Sequence, residues 1–249
     1  MGGKALGVIP ARYGATRFPG KPLALLAGRP MIQHVYERAK QARTLGRLIV
    51  ATDDPRIQQA VAAIGGEAQL TPSELPSGTD RVAAVAHPLP FDVIVNIQGD
   101  EPLMEPTMID QVAQALLDDP RLEMTTLCCS LSRPEDLRNP HVVKVVRNVA
   151  GFALYFSRAP IPHRRSTPAP TPLKHLGIYG YRKATLLRLV ALPPARLEQA
   201  ERLEQLRALE HGIRIQVLET SHDTIAVDTP EDLRKVEQRL TSTQKSSAI

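Results

Sequence analysis

In the first half of the sequence, short apolar runs alternate with amphipathic segments, and this order restricts the possible folds more than any other feature. The predicted strands are residues 6–9, 47–51, 67–70 and 92–97, and the predicted helices are residues 31–43, 56–64, 78–87 and 107–117. This βαβα order favours an α/β fold with a mostly parallel sheet and helices on both faces. Ligands of such sheets bind beyond the carboxyl ends of the strands, so the loops after Ile9, Ala51, Leu70 and Ile97 should meet on one rim.

The second half of the sequence follows a different pattern. Residues 142–149 and 152–157 flank the dipeptide Ala150-Gly151, which predicts a hairpin and therefore antiparallel pairing. Residues 158–173 contain five prolines and should form a long irregular loop. Further strands are predicted at residues 123–130, 176–182, 214–219 and 224–227, and further helices at residues 183–192, 198–211 and 230–240. The polar tail, residues 241–249, is predicted to be disordered.

The composition excludes several classes of protein. The net charge is +5, but the basic residues are spread along the chain and aromatic residues make up only 4%, which favours a small anionic substrate over nucleic acid. No apolar run approaches the roughly 20 residues of a membrane span, so no membrane association is expected. Cys128 and Cys129 are adjacent and suit a reducing compartment. We therefore expect a cytoplasmic protein.

The loop that follows the first strand is basic and rich in glycine, and Pro10 is predicted to end that strand. Its cations and glycines are Arg12, Arg17, Lys21, Arg29, Gly14, Gly20 and Gly28. Glycines let backbone N–H groups approach a polyphosphate, and the cations neutralise its charge. The alternative is an ordinary basic surface loop, because neither GxxxxGKS/T nor GxGxxG is present.

Two carboxylates follow predicted strands and are candidates for a metal site. Asp100 follows the most apolar strand, between Gly99 and Glu101, and Asp228 follows the predicted strand at 224–227. Mg²⁺ is commonly bound by one or two protein carboxylates, with water and phosphate oxygens completing its coordination. The alternatives are a simple turn at Asp100 and a helix N-cap at Asp228.

Two further polar features are weaker candidates. Ser77, Gly78 and Arg81 belong to an SGTDR segment that opens a predicted helix, where it could bind a phosphate or a base or could simply cap the helix. His175 borders the proline-rich loop, and a single histidine is more often structural.

Nine segments occur in an order that resembles one known family across nearly the whole chain. They are IPARYGATRFPGKPL, VATDD, SGTDR, VNIQGDEPL, HVVKVV, YFSRAPIP, KHLGIYGYR, LEQLRALEHGIRI and AVDTPEDL. This ordered set resembles the 3-deoxy-manno-octulosonate cytidylyltransferases, the CMP-Kdo synthetases of lipopolysaccharide biosynthesis. The chain departs from many members at Ala15, where they have Ser, and at Phe18, where they have Leu.

The resemblance implies an activity and a domain organisation. The enzyme would join CTP to Kdo and release pyrophosphate. The fold would be like that of the nucleotide-diphospho-sugar transferases, with a smaller antiparallel insertion that makes a homodimer. Residues 1–130 and 213–240 would form the α/β nucleotidyltransferase domain, and residues 131–212 would form the sugar-binding and dimerisation insertion.

The resemblance also implies roles for individual residues. Arg12 and Lys21 would bind the CTP phosphates, and Asp100 and Asp228 would hold Mg²⁺. These four would be the catalytic residues. Three residues would contact the nucleotide in addition: Ser77, Gly78 and Arg81. Six would line the sugar pocket: Gln98, Arg158, His175, Tyr181, Glu204 and Gln205. The carboxylate of Kdo would need a cationic or donor contact, from Arg158 or His175.

Three other functions remain open at this stage. The first is a related cytidylyltransferase that acts on sialic acid or on 8-amino-Kdo. The second is a GT-A-type glycosyltransferase, although these usually carry a DxD pair and this chain has Asp100-Glu101-Pro102. The third is a nucleic-acid-binding protein, which the scattered charge and scarce aromatics disfavour.

Overall fold

The computed structural model describes residues 4–14, 18–163, 165 and 170–246. The strands are β1 (Ala5–Ala11), β2 (Leu25–Leu26), β3 (Arg29–Pro30), β4 (Leu45–Thr52), β5 (Ala68–Leu70), β6 (Val93–Asn96), β7 (Met124–Ser130), β8 (Lys144–Arg147), β9 (Ala153–Ser157), β10 (Leu173–Arg182) and β11 (Ile215–Glu219). The helices are α1 (Met31–Ala39), α2 (Pro55–Ala62), α3 (Gly78–Ala86), α4 (Pro106–Asp118), α5 (Lys183–Ala191), α6 (Arg196–Glu201), α7 (Gln205–Glu210) and α8 (Pro230–Ser246). Short 3₁₀ turns occur at Lys21–Leu23 and Pro134–Leu137.

The main sheet has the strand order β11-β7-β10-β6-β1-β4-β5. β1 is parallel to β4 and β6, β4 is parallel to β5, and β11 is parallel to β7. Apolar residues of α1, α2 and α4 pack in one buried cluster, and those of α3, α5 and α7 pack in another. The predicted α/β fold, with a mostly parallel sheet and helices on both faces, is confirmed.

Strand β10 belongs to the main sheet. It lies between β6 and β7 and is antiparallel to both, with Tyr181 opposite Ile94 and Met124. Helix α5 follows it and packs in the same cluster as α3. Residues 173–191, which fall within the predicted insertion 131–212, therefore contribute a strand and a helix to the main α/β layer. The place of β10 follows only from its pairing partners. A buried strand has the same apolar pattern whether it lies in the main sheet or in a smaller, separate sheet.

The predicted hairpin around Ala150-Gly151 is present, since β8 and β9 pair in antiparallel fashion. Gly151 has φ +81°, a conformation that glycine adopts without steric cost. This pair joins the main sheet through β8, which pairs with β10. The β8–β9 hairpin is thus an extension of the main sheet, whereas β2 and β3 form a separate two-stranded antiparallel sheet.

Four local predictions were wrong. Pro10 does not end the first strand, because β1 continues to Ala11 and Pro10 pairs with Ala51. Residues 224–227 have no regular secondary structure. The predicted helix at 198–211 is split into α6 and α7 at Arg202, whose φ of +52° interrupts the helix. The tail predicted to be disordered from residue 241 continues α8 to Ser246, and residues 247–249 lie outside the described part.

We expect Gly180→Ala to lower the free energy of unfolding by about 1–3 kcal/mol, because overpacking a buried position forces its neighbours to move. A Cβ at Gly180 would collide with Thr125 Oγ1 and lie 2.9 Å from the Val112 carbonyl oxygen. The control is Gly177→Ala in the same strand, where the nearest atom would be 3.7 Å away. Chemical denaturation of both variants tests this, and equal stabilities would contradict it.

Candidate active site

A cavity of about 430 Å³ lies at the carboxyl ends of β1 and β6, on the predicted rim. It is lined by Pro10, Ala11, Arg12, Phe18, Lys21, Pro22, Leu75, Pro76, Ser77, Gly78, Arg81, Gln98, Gly99, Asp100 and Asp228. The lining includes all seven residues predicted to be catalytic or to bind nucleotide. Six of them lie on three segments of the chain, and Asp228 lies on a fourth. Arg17 and Ala15 of the first loop lie outside the described residues.

The ammonium group of Lys21 lies between the two predicted metal-binding carboxylates. Its Nζ is 2.7 Å from Asp100 Oδ2 and 3.7 Å from Asp228 Oδ1, and it donates to the Val227 carbonyl oxygen at 2.9 Å. Asp100 and Asp228 are separated by 128 positions in the sequence, so only the fold can bring them together. The structure places a positive charge and two negative charges on one wall of the cavity.

The local backbone explains where Asp100 lies. Strand β6 ends at Asn96, and the Ile97 N–H donates to the Val8 carbonyl of β1 at 2.9 Å. A Cβ at Gly99 would lie 2.8 Å from the Pro10 carbonyl oxygen, so only glycine allows this close approach. The turn therefore packs against the end of β1 and presents Asp100 to the first loop.

Asp228 is held by the segment that precedes α8. The Val227 N–H donates to the Asp100 carbonyl at 2.8 Å, and the Val227 side chain packs in a small buried cluster with Leu26, Met31 and Val236. This cluster joins α8 to the β2–β3 hairpin and fixes the approach of residue 228 to the cavity.

The alternative role of Asp228 as a helix cap is excluded by the contacts at the start of α8. The Thr229 hydroxyl accepts the Asp232 N–H at 3.2 Å, and the Asp232 carboxylate accepts the Thr229 N–H at 3.0 Å. This reciprocal pattern caps the helix through Thr229. The Asp228 carboxylate lies 3.7 Å from Lys21 and lines the cavity.

The two carboxylates fit a magnesium ion by their chemistry. Both are hard oxygen donors within 4 Å of one cationic atom, and both are partly open to the cavity, with 28% and 41% of their side chains exposed. Across the described residues, no group of three or more His, Cys, Asp or Glu side chains could hold a metal. A pair of carboxylates is a usual protein contribution to a Mg²⁺ site that also contains phosphate.

The SGTDR segment serves both as a helix cap and as part of the cavity wall. The Ser77 hydroxyl accepts the Asp80 N–H at 3.2 Å and donates to the Asp80 carboxylate at 2.6 Å, so Ser77 is the N-cap of α3. Gly78 begins the helix next to Pro10. Arg81 is almost fully buried, with a side chain only 2% exposed.

The six predicted sugar-pocket residues do not all lie together. Gln98 lines the cavity and contacts Asn96, and Asn96 and Thr79 both hydrogen-bond to the buried Tyr181 hydroxyl. Thr79 also donates to Glu204, so three of the six, Gln98, Tyr181 and Glu204, form one polar layer with Asn96 and Thr79 beside the cavity. Gln205 is buried next to Glu204 on α7.

His175 and Arg158 differ from the prediction. Complete burial lowers the pKa of His175 to about 3, so its imidazole is neutral near pH 7 and provides no positive charge for a carboxylate. Arg158 donates to the carbonyl oxygens of Glu201 at 2.7 Å, Pro140 at 2.9 Å and Arg202 at 3.3 Å. The Arg158 guanidinium thus stabilises the break between α6 and α7 and is not part of the cavity wall.

Arg29 was grouped with the cations of the first loop, but it does not line the cavity. It forms an exposed ion pair with Glu37 at 2.8 Å, on the β2–β3 hairpin side of α1. The basic first loop therefore contributes Arg12 and Lys21 to the cavity among its described cations.

Comparison with known proteins identifies the family. The family model described as "Cytidylyltransferase" matches residues 6–215. This chain belongs to the cytidylyltransferase family. Similar curated cytidylyltransferases include the 3-deoxy-manno-octulosonate cytidylyltransferase of Geobacter sulfurreducens, 48% identical over 244 residues that cover 94% of this chain and 98% of that one. The protein of the same description from Syntrophotalea carbinolica is 51% identical over 242 residues, which cover 94% and 97%.

Solved structures of cytidylyltransferases agree with this assignment. A CMP:2-keto-3-deoxy-manno-octonic acid synthetase complexed with CTP superposes with a TM-score of 0.92 at 47% identity, over 96% of this chain and 99% of that one. A cytidylyltransferase from Leptospira borgpetersenii has a TM-score of 0.63 at 17% identity, over 94% and 85%, and supports the fold alone. Within the described residues of this cytidylyltransferase, no helix has the length and apolar character to span a membrane.

Sequence reasoning missed several residues that organise the cytidylyltransferase site. Asp53 accepts the Tyr13 N–H at 3.1 Å and contacts Arg81 at 3.3 Å, but the sequence predicted no role for Asp53 within the VATDD motif. The sequence did contain a signal for Asp53. Like Asp100, it is an acidic residue soon after a strand that ends on the rim. Thr79 and Asn96 have no comparable signal, because their roles depend on Tyr181 and Glu204 from distant segments.

Proposed function

We propose that this cytidylyltransferase activates Kdo with CTP to give CMP-Kdo and pyrophosphate, for lipopolysaccharide biosynthesis. The observation that carries the proposal is the placement of Lys21, Asp100 and Asp228 on one wall of the cavity. Support for the sugar comes from the relatives, which are about half identical over nearly their full length and are described as acting on 3-deoxy-manno-octulosonate.

The reaction is a displacement at phosphorus. The anomeric hydroxyl of the sugar attacks the α-phosphorus of CTP, an oxygen–phosphorus bond forms, and the bond to the β-phosphate oxygen breaks as pyrophosphate leaves. The hydroxyl proton is released to solvent or to the leaving group. Such transfers depend mainly on positioning and charge neutralisation and need no enzyme nucleophile.

Arg12 and Lys21 would neutralise the triphosphate. Arg12 is exposed on the cavity wall, where its guanidinium can bind two phosphate oxygens. Lys21 has 15% of its side chain exposed and is held by Asp100 and the Val227 carbonyl. Charge that grows on the phosphates during the reaction is stabilised by such fixed cations.

Asp100 and Asp228 would hold the Mg²⁺ cofactor. When bound, Mg²⁺ would act as a Lewis acid that polarises the α-phosphate. The two carboxylates also orient the Lys21 ammonium, which places this cation beside the expected position of the phosphates. Both roles require the acids to remain ionised and on the same wall.

The polar layer beside the cavity would bind the sugar. Gln98 and the Glu204 carboxylate can hydrogen-bond to sugar hydroxyls, while Tyr181 and Asn96 hold Thr79 and thereby orient Glu204. His175, neutral and in contact with the Thr126 hydroxyl at 3.0 Å, packs beneath this layer through the Tyr179 ring. Gln205 would support Glu204 from inside the fold.

A cytoplasmic homodimer is part of this proposal and rests on the family resemblance. Leu203 and Leu206 are buried in the core and are not available for an interface. Val149 and Leu154 of the β8–β9 hairpin and Leu197 of α6 are exposed apolar side chains that a partner could cover. Sedimentation of the protein and of a Leu154→Glu variant tests this, and a wild-type monomer would reject the dimer.

We expect pyrophosphate release from CTP to be fastest with Kdo, slower with its 8-amino analogue and undetectable with sialic acid. A coupled assay at saturating CTP and Mg²⁺ measures all three, with CTP alone as the control. Faster release with 8-amino-Kdo or sialic acid would show that the proposed sugar is wrong, but it would still support cytidylyl transfer. No pyrophosphate with any sugar, together with transfer from a nucleotide sugar, would favour a glycosyltransferase.

A further inference from the structure

Asp53 connects two segments that line the cavity, although Asp53 is not itself among the lining residues. It follows β4 directly, and 14% of its side chain is exposed. One carboxylate oxygen accepts the backbone N–H of Tyr13 at 3.1 Å, and the other accepts from the Arg81 guanidinium at 3.3 Å. Tyr13 belongs to the first loop and Arg81 to α3, so a single carboxylate joins the two.

The contact with Arg81 matters because this cation is buried. Its guanidinium also donates to the Thr71 hydroxyl and, at 3.2 Å, to the Pro72 carbonyl in the loop after β5. These two partners are neutral, whereas Asp53 supplies an opposite charge. A buried charge that loses its partner becomes costly, so Arg81 depends on Asp53 to stay where it is.

The contact with Tyr13 fixes the first loop. The Tyr13 carbonyl accepts the Gly20 N–H at 2.9 Å, and the Tyr13 ring lies against the Gly20 backbone. The Arg56 guanidinium carbon stacks 3.7 Å from the centre of the same ring. Tyr13 therefore holds both ends of the loop. It is adjacent to Arg12 in the sequence, and its bond to Gly20 holds the residue that precedes Lys21.

We propose that Asp53 is a positioning residue that holds the first loop and α3 at a fixed separation, so that the cavity is pre-organised for the triphosphate of its nucleotide. This inference rests on the proposed function, because it takes CTP as the ligand. A site that is ordered before binding loses less conformational entropy when the ligand binds, so the ligand binds with higher affinity. Asp53 does not line the cavity, so it would act through Tyr13 and Arg81.

The test is Asp53→Asn, measured by calorimetric titration with CTP and Mg²⁺ and by steady-state kinetics. An asparagine has one acceptor oxygen, so it cannot accept from both donors, and its NH₂ would face one of them. We expect the Kd and KM for CTP to rise about tenfold, with kcat at saturating CTP and the KM for the sugar within about threefold of wild type. This split is the pattern for a loss of binding that is equal in ground and transition states.

The control for general destabilisation is Asp110→Ala, because both bonds to Asp110 go to one oxygen, Oδ1, which an asparagine would keep. Asp110 also accepts a backbone N–H and a second donor, from Thr44 at 2.9 and 2.8 Å, but it lies on α4 and joins it to the start of β4. We expect this variant to lose stability without any change in CTP affinity. Amide hydrogen exchange adds a direct readout, because residues 12–14 should exchange faster in Asp53→Asn and at the wild-type rate in Asp110→Ala.

The outcomes separate the two proposals. Wild-type protein that fails to bind CTP would reject the proposed function, and the positioning role with it. Wild-type protein that binds CTP, with Asp53→Asn within twofold of its Kd, would reject the positioning role alone. Equal losses of affinity in the two variants would also reject it, because the cause would then be general destabilisation.

If Asp53→Asn does not fold, Asp53→Glu keeps the charge that faces Arg81 and is expected to bind CTP more weakly than wild type. Wild-type affinity in that variant would reject the role.

Discussion

Asp100→Asn and Asp228→Asn are each expected to lower kcat by at least about 100-fold. A metal ion on these two carboxylates would supply several kcal/mol of charge stabilisation, and each 1.4 kcal/mol corresponds to a factor of ten in rate. The free energy of unfolding should fall by only about 1 kcal/mol, because Lys21 keeps its bond to the Val227 carbonyl and one of its two acidic neighbours. Kinetics at varied Mg²⁺ and chemical denaturation measure the two effects.

The control for this prediction is Asp223→Asn. Asp223 lies in the same segment as Asp228 but pairs with Lys174 at 2.6 Å, away from the cavity wall. Its loss should change kcat by less than about twofold, since exposed ion pairs contribute little. Chelation should abolish wild-type activity and added Mg²⁺ should restore it. Normal turnover of either Asp100→Asn or Asp228→Asn at limiting Mg²⁺ would exclude that residue as a ligand.

Lys21→Ala is expected to lower kcat/KM for CTP by about 100-fold, because a fixed cation that stabilises developing phosphate charge contributes roughly 3 kcal/mol. The same variant should bind Mg²⁺ more tightly in the absence of CTP. The ammonium now lies 2.7 Å from Asp100 and 3.7 Å from Asp228, where it competes with any other cation. Steady-state kinetics and a Mg²⁺ titration monitored by calorimetry measure the opposite effects.

Arg29→Ala is the control for Lys21→Ala. Both cations come from the basic first segment of the sequence, but Arg29 pairs with Glu37 at the surface. We expect its loss to leave kcat/KM within about twofold and Mg²⁺ affinity unchanged. If Lys21→Ala reduces activity no more than Arg29→Ala does, Lys21 has no role in the transition state.

The sequence alone was sufficient for the fold class and for most of the charged residues that line the cavity. Alternation of strands and helices is a local property, and it predicted a rim on which Lys21 and Asp100 indeed lie. Lys21 was identified by its position within a glycine-rich loop and Asp100 by its position after a strand. Both signals apply to α/β folds in general, because ligands bind beyond the carboxyl ends of the strands. The order of the nine motifs also predicted the family that the comparisons identify.

Other features were decided by the tertiary structure because they depend on pairs of distant residues. Strand β10 lies in the centre of the sheet, since its partners are β6 and β7, and an apolar pattern does not specify its neighbours. The cap of α8 belongs to Thr229 because Val227 is buried against the β2–β3 hairpin and α8, which turns Asp228 toward Lys21. Burial also made His175 neutral, and the break between α6 and α7 engaged Arg158.

The sequence by itself therefore determined which side chains were available and on which rim of the sheet most of them would lie, because strand and helix periodicity is a local property. Only the tertiary structure decided which charges face each other. The contacts of Lys21 with Asp100 and Asp228, and of Asp53 with Tyr13 and Arg81, each join groups that are far apart in sequence. Their energies depend on distance and burial, and a linear sequence specifies neither of these until the chain has folded.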